Sequence, residues 1–396
     1  MSAFERLLLD LTSIPTVAGG ESRVEAYIRE WADEREGVAV TADDAGNLVL
    51  SLAGDRSGTP IVLTAHTDHP AFVVERIVAP GVVELAFRGG VMNEYFDAAR
   101  VEVITADDRR LPGTLTERVE GAKSELSDKH FLCDIDGDAD PIAVGDMARW
   151  LLPEAEIEDG ILHTHACDDL AAAACALEAF DRVRVRAIAG ETAADARVLF
   201  TRAEEVGFIG AIAATKHGTI PDNAKVIVLE NSRAFPEAPI GGGPIVRVGD
   251  RLTIFDPRLT NDVAAVAESI AGGPASPTAQ QKQSDLPAWK WQRKLMAGGA
   301  CEATVFCNAG YACTCVCLPL GNYHNMADLS AVQAGTNESP ARVGREHIAV
   351  VDAQNMVDLL AACYERLADP PKSKTAERID TLWAERRSVL GPAGPG

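Results

Sequence analysis

From residue 163 onward, apolar runs of strand length alternate with segments of helical periodicity. "DDLAAAACALEAF" predicts a helix, "ARVLFTRAEE" a strand, "GFIGAIAATKHG" a helix and "AKVIVLENS" a strand. Alternation of this kind is typical of a layered sheet that is covered by helices. We therefore predict an α/β fold with a layered sheet.

Between residues 72 and 162 the pattern changes to short β-rich runs, such as "GVVELAF" and "GTLTERV", separated by turn residues. This segment predicts a small all-β module. We expect a discontinuous α/β domain at 1–71 and 163–396, interrupted by a β-rich domain at 72–162. The Pro-, Gln- and Ser-rich stretch 271–285 predicts a surface loop, and "GPAGPG" at 391–396 predicts a disordered tail.

The charge balance excludes some partners. The chain has 59 acidic and 37 basic residues, a formal net charge of -22, which argues against binding to nucleic acid or anionic membranes. We find no apolar run long enough to span a membrane, and "MSAFERLLLDLTS" predicts an amphipathic first helix, not a signal peptide. Nine cysteines without the spacing of a small disulfide scaffold favour a reducing, cytoplasmic location.

Polar side chains stand at or just beyond the ends of predicted strands in the α/β part. The five motifs are "AHTDHP", "ACDDL", "AEEVG", "VLENS" and "GNYHN". Ligands of open α/β sheets collect at the carboxyl ends of strands. Each motif alone has an ordinary structural explanation, because a single His is often structural and Asp pairs often cap helices.

Together these motifs supply the donors that two divalent cations need: imidazoles, a carboxylate able to bridge, and a free base. His66 and Asp68 lie on one face of a strand, so Asp68 can orient the His66 ring. If Glu205 binds metal, its neighbour Glu204 is held beside the cations, where it can transfer a proton.

The order of these motifs resembles the co-catalytic metallopeptidases of the glutamyl aminopeptidase and tetrahedral (TET) aminopeptidase family. The similarity covers nearly the whole chain and includes "PTVAGGESRVEAYI", "GGGPIV" and "KLMAGGACEATVF". The resemblance implies a zinc-peptidase-like mixed sheet flanked by helices, with an inserted small PDZ-like β domain that helps assembly. It also implies a two-metal aminopeptidase acting on peptides, as a homo-oligomer from dimer to dodecamer.

The resemblance assigns roles to seven positions. One metal would be held by His66, Asp168 and Glu230, and the other by Asp168, Glu205 and His324. The remaining two positions would be the base Glu204 and the His66 partner Asp68. We expect Zn²⁺, with Co²⁺ or Mn²⁺ as alternatives, since all three accept imidazole and carboxylate ligands.

The chain departs from the family pattern at several positions. His69 stands where the family usually has Glu, "DDL" replaces "DDR", and "ACEA" replaces "GTDA". Glu230 replaces the Asp usual in aminopeptidases of the wider clan, and Glu is more typical of its carboxypeptidases and acyl-amino-acid hydrolases. His163 and His165 share a strand face near Asp168, and we interpret them as ordinary strand residues. The role of His69 stays open.

Two alternatives to the aminopeptidase follow. Glu230 favours a carboxypeptidase-G or aminoacylase-type amidohydrolase, but that group carries its extra domain later in the chain. A catalytically silent scaffold would be marked by a missing ligand or base, and these positions are all filled. Serine hydrolysis is not supported, because no Gly-x-Ser-x-Gly motif occurs.

Overall fold

The computed structural model describes residues 1–54, 56, 58–137, 139, 141–273, 275 and 288–391. The loop predicted at 271–285 and the tail predicted at 391–396 fall mostly outside these ranges. Within the described ranges, no helix combines the length and the apolar character that crossing a membrane requires.

Regular elements extend along most of the described chain. The strands, in chain order, are β1 (Val38–Ala42), β2 (Leu48–Leu52), β3 (Ile61–His66), β4 (Ala71–Ala79), β5 (Val82–Arg88), β6 (Arg100–Ile104), β7 (Arg110–Arg118), β8 (His130–Ile135), β9 (Met147–Trp150), β10 (Glu156–Glu158), β11 (Ile161–Thr164), β12 (Ala196–Thr201), β13 (Lys225–Arg233), β14 (Ile245–Gly249), β15 (Gln292–Leu295), β16 (Ala312–Leu320) and β17 (Glu346–Ala349). The helices are α1 (Ala3–Thr12), α2 (Ser22–Asp33), α3 (Leu170–Ile188), α4 (Ile209–His217), α5 (Pro257–Ala271), α6 (Ala303–Asn308), α7 (Leu329–Ala334), α8 (Val350–Arg366) and α9 (Lys374–Arg386).

The main sheet has eight strands in the order β1-β2-β12-β3-β13-β16-β14-β15. Its four central strands, β12, β3, β13 and β16, pair in parallel. The strands β2 and β14 join this centre in antiparallel pairs. The sheet is therefore mixed, and the predicted α/β fold class is confirmed.

Side chains alternate between the two faces of the main sheet, and helices cover both faces. In β13, Ile227 and Leu229 belong to the hydrophobic core that also contains residues of α1, α3, α5 and α8. Val226 and Val228 belong to a second core, with residues of α4 and α6. Residues 170–177 of α3 are all buried, and five of them are alanines. These small side chains let α3 lie deep in the core.

The β-rich segment forms a closed barrel of six strands in the order β4-β5-β8-β7-β6-β9. Aromatic side chains fill its core, and the rings of Phe96 and Phe131 stack with centroids 4.5 Å apart. A small barrel is thus present where the sequence predicts a β module. Its likeness to a PDZ domain, the domain boundaries and a role in assembly stay predictions.

The barrel contacts the loop that follows β16. The Tyr95 hydroxyl donates to the Ala327 carbonyl over 2.7 Å, and Met326, Leu329 and Val332 pack into the barrel core. The barrel therefore supports a segment of the α/β part that contains predicted site residues.

A third sheet has the strand order β10-β11-β17. The pairing of β11 with β17 places His163 opposite His347 and Thr164 opposite Glu346. The two imidazole rings lie with their centroids 5.5 Å apart. His163 is therefore a strand residue that faces another imidazole.

We expect His163→Gln to raise the pKa of His347. Burial lowers the pKa of His347, and the neighbouring His163 ring lowers it further. As the pH falls through about 6.5, the unfolded chain then binds more protons than the folded chain, so this ring costs stability. In His163→Gln the stability lost as the pH falls should be smaller, because His347 is then protonated more easily in the folded chain.

An NMR pH titration of the His347 ring measures the shift. The exposed His217 provides the matched control, His217→Gln, which should leave the His347 titration unchanged. A His347 pKa that does not rise in His163→Gln would contradict the expectation.

Candidate metal centre

The predicted site residues meet at one edge of the main sheet. His66 is the last residue of β3, and Glu204, Glu205 and His324 follow the ends of β12 and β16. Glu230 differs from the sequence-based expectation, because it lies within β13, which continues to Arg233. Parallel neighbours end at the same edge, so their terminal side chains converge there. Asp168 reaches this edge from the residues just before α3.

Possible ligand atoms lie within 4.8 Å of one another in three overlapping groups of described residues. The groups are His66, Asp168, Asp169 and Glu230; His66, Glu204 and Glu205; and Asp168, Glu205 and His324. Each predicted metal triad is contained in one of these groups. The role of each residue stays a prediction.

Asp168 lies between the two imidazoles. Its Oδ1 is 3.3 Å from His66 Nε2, and its Oδ2 is 3.5 Å from His324 Nε2. The Oδ1 atom is buried and has no hydrogen-bond partner among the described residues. A buried carboxylate oxygen without a partner is costly, so this geometry favours a bridge between two cations.

The other ring nitrogen of each imidazole faces a backbone carbonyl. His66 Nδ1 lies 3.1 Å from the Asp68 carbonyl oxygen, and His324 Nδ1 lies 2.6 Å from the Gly90 carbonyl oxygen. Such contacts assign the proton to Nδ1 and leave the Nε2 lone pair for a metal. Gly90 follows β5, so the barrel orients one of the two rings.

The charge of this edge also fits divalent cations. Burial lowers the pKa of His66, but nearby carboxylates, above all Glu204, raise it well above its usual value. Burial, and then Asp168, raise the pKa of Glu230. Carboxylates outnumber imidazoles here, and divalent cations would offset the excess negative charge. The nitrogen and oxygen donors suit Zn²⁺ and similar metals.

Asp68 has partners that the sequence does not predict. Its Oδ1 and Oδ2 accept the backbone N–H groups of Glu204, at 2.9 Å, and Glu205, at 3.0 Å. Its Oδ1 lies 3.5 Å from His66 Nδ1, farther than the Asp68 carbonyl oxygen. The carboxylate of Asp68 therefore holds the glutamate pair, while its backbone orients the His66 ring.

Asp169 differs from Asp168 in its hydrogen bonds. Its Oδ1 accepts from Asn231 Nδ2 at 2.9 Å, and its Oδ2 accepts from the His66 backbone N–H at 3.3 Å. Both oxygens of Asp169 thus have protein partners, whereas Asp168 Oδ1 has none among the described residues. This contrast favours Asp168 as the bridging residue.

His69, whose role the sequence leaves open, contacts the backbone of Asp168. Its Nδ1 lies 2.5 Å from the Asp168 carbonyl oxygen, and its Nε2 lies 3.1 Å from Asn325 Oδ1. His165 is buried nearby, and its carbonyl accepts from Asn325 Nδ2. Neither imidazole belongs to the groups of possible ligands found among the described residues.

Sequence reasoning missed four residues that contact the centre: Gly90, Asn231, Asn325 and Glu346. They act through carbonyl, amide or carboxylate groups on residues distant in the chain. Asn231, next to Glu230, had a signal in its position after a strand-end acid. Asn325, next to His324 in the motif "GNYHN", had a similar signal. Gly90 and Glu346 had none, because nothing local marks their partners.

A cavity of about 650 Å³ opens onto the centre. Glu204, Glu230 and His324 line one side, and apolar residues, among them Phe208 and Met296, line another. The cavity can hold a segment of a small ligand beside the possible metal ligands.

Arg247 of β14 also lines this cavity. The side chain is buried, with its residue 3% exposed. Its Nη1 donates to Ser232 Oγ at 3.2 Å, and its Nε has no partner among the described residues. No carboxylate of the described residues forms an ion pair with it. A buried guanidinium in this state favours an anionic ligand group.

Comparison with known proteins places this geometry in context. The family described as M42 glutamyl aminopeptidase matches residues 46–271. A protein of Acetivibrio thermocellus, named "Putative aminopeptidase", is 26% identical over 318 residues, 77% of this chain and 86% of that protein. "Putative aminopeptidase YhfE" of Bacillus subtilis is 25% identical over 220 residues, 52% of this chain. That match spans 62% of YhfE, less than two thirds of its length.

Solved structures share the fold. A TET aminopeptidase from a marine-sediment Thaumarchaeota archaeon has a TM-score of 0.70 and 22% identity, over 92% of this chain and 98% of that one. The TET1 peptidase of Pyrococcus horikoshii also has a TM-score of 0.70, with 18% identity over 92% and 100% of the two chains.

Proposed function

The chain belongs to the M42 glutamyl aminopeptidase family and is a peptide-bond hydrolase, and we propose that it releases N-terminal residues from peptides with two divalent cations. The observation that carries this proposal is the position of Asp168, whose two carboxylate oxygens face the His66 and His324 imidazoles. The buried Glu204 stands beside them at the wall of the cavity.

The residues that would hold the cations form two sets that share one member. The sets are His66, Asp168 and Glu230, and Asp168, Glu205 and His324. Cations held by these residues would supply Lewis-acid polarisation of a scissile carbonyl and would lower the pKa of a water molecule. Zn²⁺ is the expected metal, and Co²⁺ and Mn²⁺ suit the same donors.

Glu204 is the proposed general base. Asp68 accepts its backbone N–H, which fixes the main chain at this point, and the residue lines the cavity. In this role Glu204 accepts a proton from the attacking water and passes it to the departing amine. Glu205, whose Oε1 lies 3.3 Å from His324 Nε2, would bind metal, so the two adjacent glutamates have separate tasks.

The charges that line the cavity support a free-amine substrate with an acidic first residue. The carboxylates at the metal edge attract an α-ammonium group. Arg247, buried in the lining of the same cavity, would pair with the carboxylate of an N-terminal Glu or Asp. This preference agrees with the glutamyl specificity that the family description names.

Arg247 also favours a second candidate. In a carboxypeptidase-G or aminoacylase-type amidohydrolase, the same guanidinium would bind the free α-carboxylate of an N-acylated amino acid. Glu230 supports this candidate too, since the sequence shows Glu where Asp is usual in aminopeptidases. The two candidates differ in which end of the substrate must be free.

The catalytic test is Glu204→Gln, which keeps the shape of the side chain and removes the base. We expect hydrolysis of free-amine peptides to fall by about 10²–10⁴-fold, with two metals still bound by elemental analysis. Glu120→Gln, an exposed change in the barrel segment, is the control and should retain activity. If the unsubstituted protein hydrolyses N-acylated amino acids and no free-amine peptides, the amidohydrolase is supported. If the unsubstituted protein binds two metals and hydrolyses neither class of substrate, a silent scaffold is supported.

The specificity test is Arg247→Met, which removes the charge and keeps an apolar body of similar length. We expect kcat/KM for peptides with N-terminal Glu to fall about 10–100-fold, because a charge-assisted contact is lost. The value for N-terminal Ala should change little. Arg233→Gln removes the cavity's other arginine, which bonds Gln333 and Ser330, and serves as the control. An equal loss for both substrates in Arg247→Met would contradict the assigned role.

We also propose assembly into homo-oligomers through the barrel. The support comes from structural neighbours, one described as a dodecamer and another as able to form a tetrahedron or an octahedral shell. Light scattering on the intact chain should give a mass several times 42.0 kDa. A particle with the mass of one chain would contradict this.

A further inference from the structure

We propose that Glu346 is a positioning residue that holds Asp168 and His324 at the spacing two cations require. Glu346 is the first residue of β17 and is fully buried. It does not belong to the groups of possible ligands among the described residues. The inference rests on the proposed metal centre and adds to it a residue that acts through the backbone of two ligands.

The carboxylate of Glu346 joins the two ligand segments. Its Oε2 accepts the backbone N–H of Asp168 at 3.0 Å, and its Oε1 accepts the backbone N–H of His324 at 2.8 Å. Hydrogen bonds to a carboxylate are short and strong. A single rigid group thus sets the distance between two backbone positions whose side chains face each other.

The backbone around His324 needs such support. His324 has φ +53°, and its neighbours Asn322 and Asn325 have φ +53° and +62°. Left-handed conformations are uncommon for residues other than glycine and persist where surrounding contacts hold them. The bond from the His324 N–H to Glu346 is such a contact, and it directs the imidazole towards Asp168.

Glu346 is itself held from two sides. β17 pairs with β11, the strand that leads to Asp168. On its other side, the His347 carbonyl accepts the Gly321 N–H at 2.9 Å, at the end of the strand that leads to His324. A Cβ at Gly321 would lie 2.1 Å from the His347 ring, so glycine permits this close approach. β17 therefore connects both ligand segments, with Glu346 at the point of contact.

A matched control exists elsewhere in the chain. Asp352 is also fully buried, and its two oxygens accept the backbone N–H groups of Gly241 and Gly243, each at 2.7 Å. It has the same hydrogen-bonding arrangement, but it holds residues outside the groups of possible metal ligands. A purely structural role for Glu346 predicts that equivalent changes at Glu346 and Asp352 have equivalent effects.

The experiment compares Glu346→Gln with Asp352→Asn in the full chain. Each variant keeps one acceptor and turns an amide N–H₂ towards a backbone N–H. The metal-free proteins are titrated with Co²⁺ by calorimetry, the visible spectrum of bound Co²⁺ is recorded, and the melting temperature is measured without metal. Glu346→Asp, which keeps the charge on a shorter side chain, is the conservative variant.

We expect Glu346→Gln to weaken Co²⁺ binding at least tenfold and to alter the Co²⁺ spectrum, with partial recovery in Glu346→Asp. Asp352→Asn should lower the melting temperature and leave the affinity and the spectrum unchanged. Unchanged affinity and spectrum in Glu346→Gln would overturn the inference and leave the proposed function standing. Failure of the unsubstituted protein to bind Co²⁺ would overturn both.

A measurement on the unsubstituted protein covers the case in which Glu346→Gln does not fold. Hydrogen exchange by mass spectrometry measures the exchange rates of the peptides that contain the N–H groups of Asp168 and His324. Slow exchange of the peptides that contain them is expected from their bonds to a buried carboxylate. Fast exchange at His324 in the metal-free protein would overturn the inference.

Discussion

Hydrogen bonds from backbone N–H groups to buried carboxylates position the residues of the candidate metal centre. Asp68 holds the N–H groups of Glu204 and Glu205, Asp169 holds that of His66, and Glu346 holds those of Asp168 and His324. Burying a carboxylate is costly unless its oxygens have partners, and the N–H groups supply them. In Asp168 one oxygen lacks a partner among the described residues and faces an imidazole. The same chemical group therefore serves as support in one place and as a possible ligand in another.

The centre depends on more than one hydrophobic core. The main sheet brings strand ends to one edge, whereas the barrel supplies the Gly90 carbonyl that faces His324 Nδ1. Tyr95 donates to Ala327 just beyond that imidazole, and Met326 packs into the barrel core. A change in the packing of the barrel would thus alter the position of the His324 ring. The inserted segment contributes to the geometry of the centre whatever its part in assembly.

The lining of the cavity contains groups of opposite charge. Carboxylates, including Glu204 and Glu230, lie on the sheet edge, and Arg247 lies on β14. The proposed substrate, which carries both an ammonium and a carboxylate group, would pair with both kinds of charge in this lining. The adjacent glutamates have different contacts. Asp68 fixes the backbone of both, and Glu205 is the one whose carboxylate approaches His324. Bound cations would offset their repulsion.

The α/β class and the β-rich insertion could be predicted from the sequence, because periodicity and turn residues are local properties. The five motifs that contain the possible metal ligands could also be named, since they stand at the ends of predicted strands, and the family resemblance divided those residues into two triads. The partners of Asp68, the surroundings of Arg247 and the contacts of Glu346 could not, because they join segments far apart in sequence. The amino-acid sequence by itself determined which strands and helices form and which donors they bring to one edge. Only the tertiary structure decided which atoms meet there, because strand order and packing of the barrel set those distances.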